Sequence, residues 1–200
     1  MRVRLLILAA ALVLAGCAAD PLPEDSYYRL SAQPAVRTQS TPLLAGFLQV
    51  DSLRAPGILN ERQVLYSRRD ANAQLEQYNY HVWIDPPPKL VRQFLIDGLR
   101  RANVAKLTAD RLPVGPDRFR LSGRLHRFER VARGDRWFAV VAVELRLDSP
   151  TAEAVPLVLN KYEKEVEASG SSVAASAQAF SQALNEVVVD LVSELEVMDR

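Results

Sequence analysis

Apolar and polar residues trade places along this chain in three rhythms, and each predicts a different element. The first is an unbroken apolar run, Leu5–Leu14, behind the basic start Met-Arg-Val-Arg and ahead of Ala15-Gly16-Cys17. It falls short of the roughly 20 residues that a bilayer-spanning helix needs. A basic start, an apolar middle and a small-residue end form the layout of a secretory signal peptide.

The second rhythm alternates with a period of two and predicts strands. Tyr27–Leu30, Phe47–Val50, Gln63–Tyr66 and Tyr78–Ile84 are the first four, with residues 32–42 reading as a loop and Arg54-Ala-Pro-Gly57 as a turn. In a later strand Phe119, Leu121 and Leu125 alternate with Arg118, Arg120, Ser122 and Arg124, and Phe128 breaks the period. That break predicts a bulge near His126-Arg127. After the turn Gly134-Asp135, a strand from Arg136 puts Trp137, Val141, Val143, Leu145 and Leu147 on one face and Phe138, Val140 and Ala142 on the other. With both faces apolar, it should be central and covered on both sides. Residues 155–168 read as a more amphipathic strand that Gly170-Ser171-Ser172 ends.

The third rhythm is helical. After Asp85-Pro86-Pro87-Pro88, the residues Val91, Phe94, Leu95, Gly98, Leu99 and Ala102 share one helix face, with Asp85 as the expected N-cap and Asn103 as the stop. Gly98 in the middle of that face predicts a close approach to the sheet. A longer amphipathic helix closes the chain. Val173, Ala177, Phe180, Leu184, Val187, Val188, Leu191, Leu195 and Met198 line its buried stripe, and Glu186, Asp190 and Glu194 run down the far side. Val189, Val192 and Val197 fall off the stripe and are expected at the surface as partner contacts. The same stripe also fits a coiled-coil seam, which remains an alternative.

Composition narrows the class. The 200 residues are 48% hydrophobic and 24% charged with a single cysteine, which suits a globular domain and excludes disordered, collagen-like and disulfide-scaffold chains. A formal net charge of +1 argues against nucleic-acid binding. The charge is unevenly spread, however. Residues 17–150 hold 20 Lys+Arg against 15 Asp+Glu, and residues 151–200 hold 3 against 9. A basic body and an acidic C-terminal quarter can complement each other within one molecule or between copies, so a homo-oligomer is one expectation.

The signal ends in Leu14-Ala15-Gly16-Cys17, which resembles a bacterial lipobox. In such a box the cysteine thiol receives a diacylglycerol, and cleavage frees an amine that is acylated in turn. The expected organisation is therefore a lipoprotein signal peptide (1–16), a lipidated Cys17 with a tether (17–26), and a single periplasmic α/β domain (27–200). More than one acyl chain makes membrane anchoring stable. Sorting rules for lipoproteins resembling this one treat Asp directly after the cysteine as an inner-membrane signal. Ala18 stands there, which favours the periplasmic leaflet of the outer membrane.

Little in the chain suggests catalysis. Gly-x-Gly-x-x-Gly, Gly-Lys-Ser/Thr, Gly-x-Ser-x-Gly and His-Glu-x-x-His are all missing, so no catalytic residues, metal ligands or cofactor are assigned. The two histidines, His81 and His126, read as strand residues. The notable polar feature is the run Arg118, Arg120, Arg124, Arg127, Arg130, Arg133 and Arg136. The first three share a strand face and are candidate contacts for anionic headgroups or an acidic protein, with Val189 and Val192 as candidate partner contacts. The plainer reading is a solvated strand face that the acidic C-terminal helix partly neutralises.

A lipobox, then Ser26-Tyr-Tyr-Arg-Leu30, Leu65-Tyr-Ser-Arg68, Gln77-Tyr78, His81-Val-Trp-Ile-Asp-Pro-Pro87 and Ala179-Phe-Ser-Gln-Ala-Leu-Asn-Glu186, resembles the ABC-transporter auxiliary lipoproteins of the PqiC type. The segment Ile58-Leu-Asn-Glu-Arg62 departs from that pattern. The resemblance implies an α/β domain with a mixed β-sheet flanked by helices. It also implies a non-enzymatic role beside an ABC permease, its ATPase and an MCE-domain protein that move lipid between membranes. A stand-alone envelope lipoprotein and an envelope hydrolase are the alternatives.

Overall fold

The computed structural model describes residues 23–31, 36–68, 74–113, 115–151 and 155–198. The signal segment and Cys17 lie outside them. The elements in chain order are β1 (Ser26–Tyr28), β2 (Leu44–Val50), β3 (Gln63–Arg68), β4 (Glu76–Trp83), α1 (Pro87–Arg101), β5 (Ala105–Ala109), β6 (Arg118–Arg133), β7 (Arg136–Asp148), β8 (Val158–Glu167) and α2 (Val173–Met198), with a 3-10 turn at Gly57–Asn60.

All eight strands join one mixed sheet, organised around the 16-residue β6. One edge of β6 is shared. Its start pairs in parallel with β2, through Phe47↔Arg118 and Val50↔Leu121, and its end pairs in parallel with β3, through Tyr66↔Arg130. β5 extends the β2 arm, while β4 and then β1 extend the β3 arm. The other edge of β6 pairs antiparallel with β7, and β8 follows. Among the described residues this is an α/β fold with a mixed sheet, two helices and the long helix at the C-terminus, as the pattern and the resemblance predict.

Both helices pack into the same hydrophobic core. α1 lies against β2 and β5, and α2 lies against β7 and β8. A Cβ added to Gly98 would meet Val188 Cγ1 at 2.9 Å, so Gly98 marks where α1 touches α2, not the sheet. The expected close approach is real but its partner is a helix. Asp85 does not cap α1. The N-cap is Pro86, with no side-chain cap bond, and Asp85 instead pairs with Lys89 at 2.7 Å. Asn103 does end the helix, at φ 55°, with Val104 N–H donating back to the Leu99 carbonyl in a Schellman-type close.

The α2 stripe needs two corrections. Val192 is buried, and Met198 is 45% exposed. Two of the three acids expected on the far side border β8 instead. Asp190 pairs with Lys164 at 2.7 Å, and Tyr162 donates to Glu194 at 2.6 Å. Because α2 touches β8 on one flank and α1 on the other, its buried arc is wider than a two-layer contact demands. That arc takes in Val192 and leaves no free coiled-coil seam.

The bulge falls where the alternation breaks, between Leu125 and Arg127. It holds Leu121, Leu125 and Phe128 on the core face. β7 is central, and its second face is indeed covered, although by side chains alone. Arg127, Ala142 and Glu163 occupy one rung across β6, β7 and β8, and the Arg127–Glu163 pair (3.3 Å) closes over the small Ala142. Arg133 and Arg136 reach Glu165 and Glu167 and lie over the Phe138 ring. Their stems shield Phe138 while the charged heads stay paired in water.

Candidate functional site

The arginine run divides into three groups. Arg127, Arg133 and Arg136 belong to the cover over β7, so the acids that answer them come from β8, with Glu129 of β6 added for Arg127, and not from the C-terminal helix. The predicted charge complementarity is in this part intramolecular. Glu129 and Glu163 also keep the Arg127 guanidinium firmly protonated, outweighing the cost of its partial burial.

Arg118, Arg120 and Arg124 form the second group. The alternation of β6 keeps them on the face opposite Leu121 and Leu125, with Arg120 and Arg124 exposed. Arg120 pairs with Asp51 at 2.5 Å, and Arg118 donates to Gln49 Oε1 at 3.3 Å. Arg124 stands next to Arg54, with which it forms an isolated parallel bridge. His126 on the bulge is 3.9 Å from Glu144.

An apolar pocket opens beside this group. Arg118, Phe47 and Leu107 lie on one rung across β6, β2 and β5. Phe47 is 41% exposed and Leu107 47%. Leu112, Pro113, Pro116 and Asp117 complete a pocket of about 330 Å³. Its wall is fixed in place. Phe47 N–H donates to the Asp117 carbonyl at 2.9 Å, and Leu112 N–H donates to Gln49 Oε1 at 3.3 Å. Gly46 makes this possible, because a Cβ there would sit 2.1 Å from the Asp117 oxygen.

The third group is Arg130 alone. The bulge reverses the alternation beyond it and turns Arg130 inward, where it is 1% exposed. It donates to Tyr78 Oη at 2.7 Å and to the Ser171 carbonyl at 2.6 Å, and its guanidinium lies 3.9 Å from the Trp137 ring centroid. Burial lowers its pKa, and burial likewise raises that of Tyr78. Tyr66, Tyr78, His81 and Tyr28 continue the aromatic cluster, with Tyr28 Oη 2.8 Å from His81 Nδ1. Sequence reading grouped Arg130 with the surface arginines. Carrying the alternation through the predicted bulge would have placed it inside.

The remaining predicted contacts split. Val189 is half-buried, Val192 is buried and Val197 is 70% exposed. Among the described residues no group of three or more His, Cys, Asp or Glu could hold a metal ion, and no helix is long and apolar enough to cross a membrane.

The model of one protein family, the ABC-type transport auxiliary lipoprotein component, matches residues 28–192. Among solved structures, a DUF330 protein from Xanthomonas campestris is 19% identical with a TM-score of 0.69, over 84% of this chain and 92% of its own. An uncharacterized protein is 17% identical with the same TM-score of 0.69, over 86% of this chain and 99% of its own. A PelC dodecamer from Paraburkholderia phytofirmans has a TM-score of 0.44 at 18% identity, over 80% of this chain and 96% of its own. At these identities the likeness to the first two is one of fold. No curated protein matches.

Proposed function

Because this chain belongs to the ABC-type transport auxiliary lipoprotein component family, we propose that it is a non-enzymatic, lipid-anchored accessory subunit of an ABC system that moves lipid between membranes through an MCE-domain protein. The observation that carries the reading is the extent of the family match, which runs from β1 to the last turns of α2. Cys17 supplies the anchor. The Leu14-Ala-Gly-Cys17 box supports acylation, and Ala18 after it supports the periplasmic leaflet of the outer membrane. The tether to Ser26 reaches roughly 30 Å at full extension, so the domain works close to the membrane that holds its lipid.

With no catalytic constellation in its sequence motifs, the chain contributes binding and positioning. Its candidate partner contacts are Arg118, Arg120, Arg124 and the half-buried Val189, and the buried Val192 is no longer among them. Association with further copies of the chain belongs to the same reading.

Co-isolation tests it. The lipidated chain, solubilised from its own membranes, should bring down an MCE-domain protein. Arg120→Glu/Arg124→Glu should weaken that association while the fold stays intact. Recovery of the chain without any transporter component would contradict the proposal. So would lipid or peptidoglycan hydrolysis by the purified chain.

A further inference from the structure

The rung Arg118–Phe47–Leu107 places a cation, an aromatic ring and an aliphatic side chain in a row on one face of three neighbouring strands. Water-exposed apolar side chains are ordinary when they are scattered singly. Here two large ones are adjacent, and Leu112, Pro113 and Pro116 wall them into a pocket of about 330 Å³. That size lies at the lower end of small-ligand sites. The pocket is also preformed. The close approach at Gly46 and the Asp117 and Gln49 hydrogen bonds tie the wall to β2 with the pocket already open, so an occupant need not open it.

Charge identifies the occupant. Arg118 lines the pocket, and Gln49, the partner of its guanidinium, is neutral. Arg120, which Asp51 pairs with, stands two residues further along the same strand face, and the exposed Arg111 immediately precedes the pocket-lining Leu112. Asp117 is the one carboxylate among the lining residues. We propose that this pocket binds one acyl chain of an anionic lipid, with the carboxylate or phosphate at Arg118 and the chain along Phe47 and Leu107 beneath Leu112, Pro113 and Pro116. The proposal rests on the lipid-transport reading for its biological meaning, but the binding itself does not depend on any transporter partner.

Photo-crosslinking tests it on the full lipidated chain in neutral detergent. The probes are a long-chain fatty acid and the matching fatty alcohol, each carrying a diazirine near the tail end. The acid should label the segment from Leu107 to Arg118, and unlabelled fatty acid should compete. Phe47→Ser/Leu107→Ser should reduce that labelling at least 10-fold. These side chains face solvent, and an unchanged melting curve checks that the fold survives. Arg118→Gln should abolish the preference for acid over alcohol while leaving alcohol labelling in place. Labelling spread over the surface, or labelling that both variants leave unchanged, overturns the proposal. Displacement of the probe by an acidic, apolar peptide but not by fatty acid also overturns it, in favour of a protein occupant. Co-isolation with an MCE-domain protein is read separately, so loss of this pocket and loss of the accessory role are distinguishable.

Discussion

Replacing Gly98 by alanine tests how the two helices share the core. The added Cβ would lie 2.9 and 3.0 Å from the two γ-methyls of Val188 and 3.5 Å from its Cβ. Favourable carbon contacts lie at about 3.5–4.0 Å, so the methyl intrudes by roughly half an ångström or more on a branched side chain that cannot swing away. Overpacking of this kind costs about 1–3 kcal/mol. Against it stands the gain of about 1 kcal/mol when alanine replaces glycine inside a helix. The net expectation for Gly98→Ala is therefore a loss of about 0–2 kcal/mol. In a Val188→Ala background both γ-methyls are gone and the nearest remaining atom is at an ordinary contact distance. There the same substitution should stabilise by about 1 kcal/mol. The coupling between the two sites is then about 1–3 kcal/mol, well above the scatter of independent sites. Urea unfolding of the four proteins in the cycle measures it, and each 1 kcal/mol also corresponds to about 2–4 °C in Tm at this length. If Gly98→Ala stabilises equally in both backgrounds, α1 and α2 do not meet at this point and the packing argument fails.

Further substitutions probe other parts of the account. Arg130→Lys keeps the charge but loses the planar fork stacked on Trp137, and it should cost about 1–2 kcal/mol with a change in tryptophan emission. Unchanged emission would show that the contact does not form in solution. Burial and then the Glu194 hydrogen bond push the Tyr162 pKa far above its usual value of 10.0. The neutral phenol is therefore favoured in the folded state, so its stabilisation is complete below about pH 10 and is lost as pH rises beyond that. Tyr162→Phe should flatten the alkaline side of the stability profile, and an unaltered profile would remove Tyr162 from the explanation. Cys17→Ser should abolish lipidation and release the chain from the outer-membrane fraction. A mutant that still sediments with that membrane without its partners would count against the lipobox.

The strands that alternate cleanly were legible in sequence, and so were the bulge and the Asn103 stop. β2 reads as Phe47–Val50 because Gly46 contributes no apolar side chain, yet the strand begins at Leu44. β5 left no signal. It is a five-residue strand at the end of the β2 arm with an exposed leucine, too short for a period to emerge. Pairing across distance was also hidden. Nothing local says that Arg127 and Arg133 find their acids on β8, or that Gly98 faces a helix. The pocket was invisible for the same reason, because Phe47, Leu107 and Arg118 come together only through the order of strands. Arg130 is different. Its burial follows from the bulge, and the sequence contained that bulge.

The central claim, that this chain is a lipid-anchored accessory to intermembrane lipid transport, is tested most directly by reconstituted transfer. Donor vesicles would carry the ABC permease, its ATPase and the MCE-domain protein, and acceptor vesicles would carry the lipidated chain. The account predicts ATP-dependent movement of labelled phospholipid that requires the chain and fails with Cys17→Ser. Transfer at the same rate without the chain would contradict it.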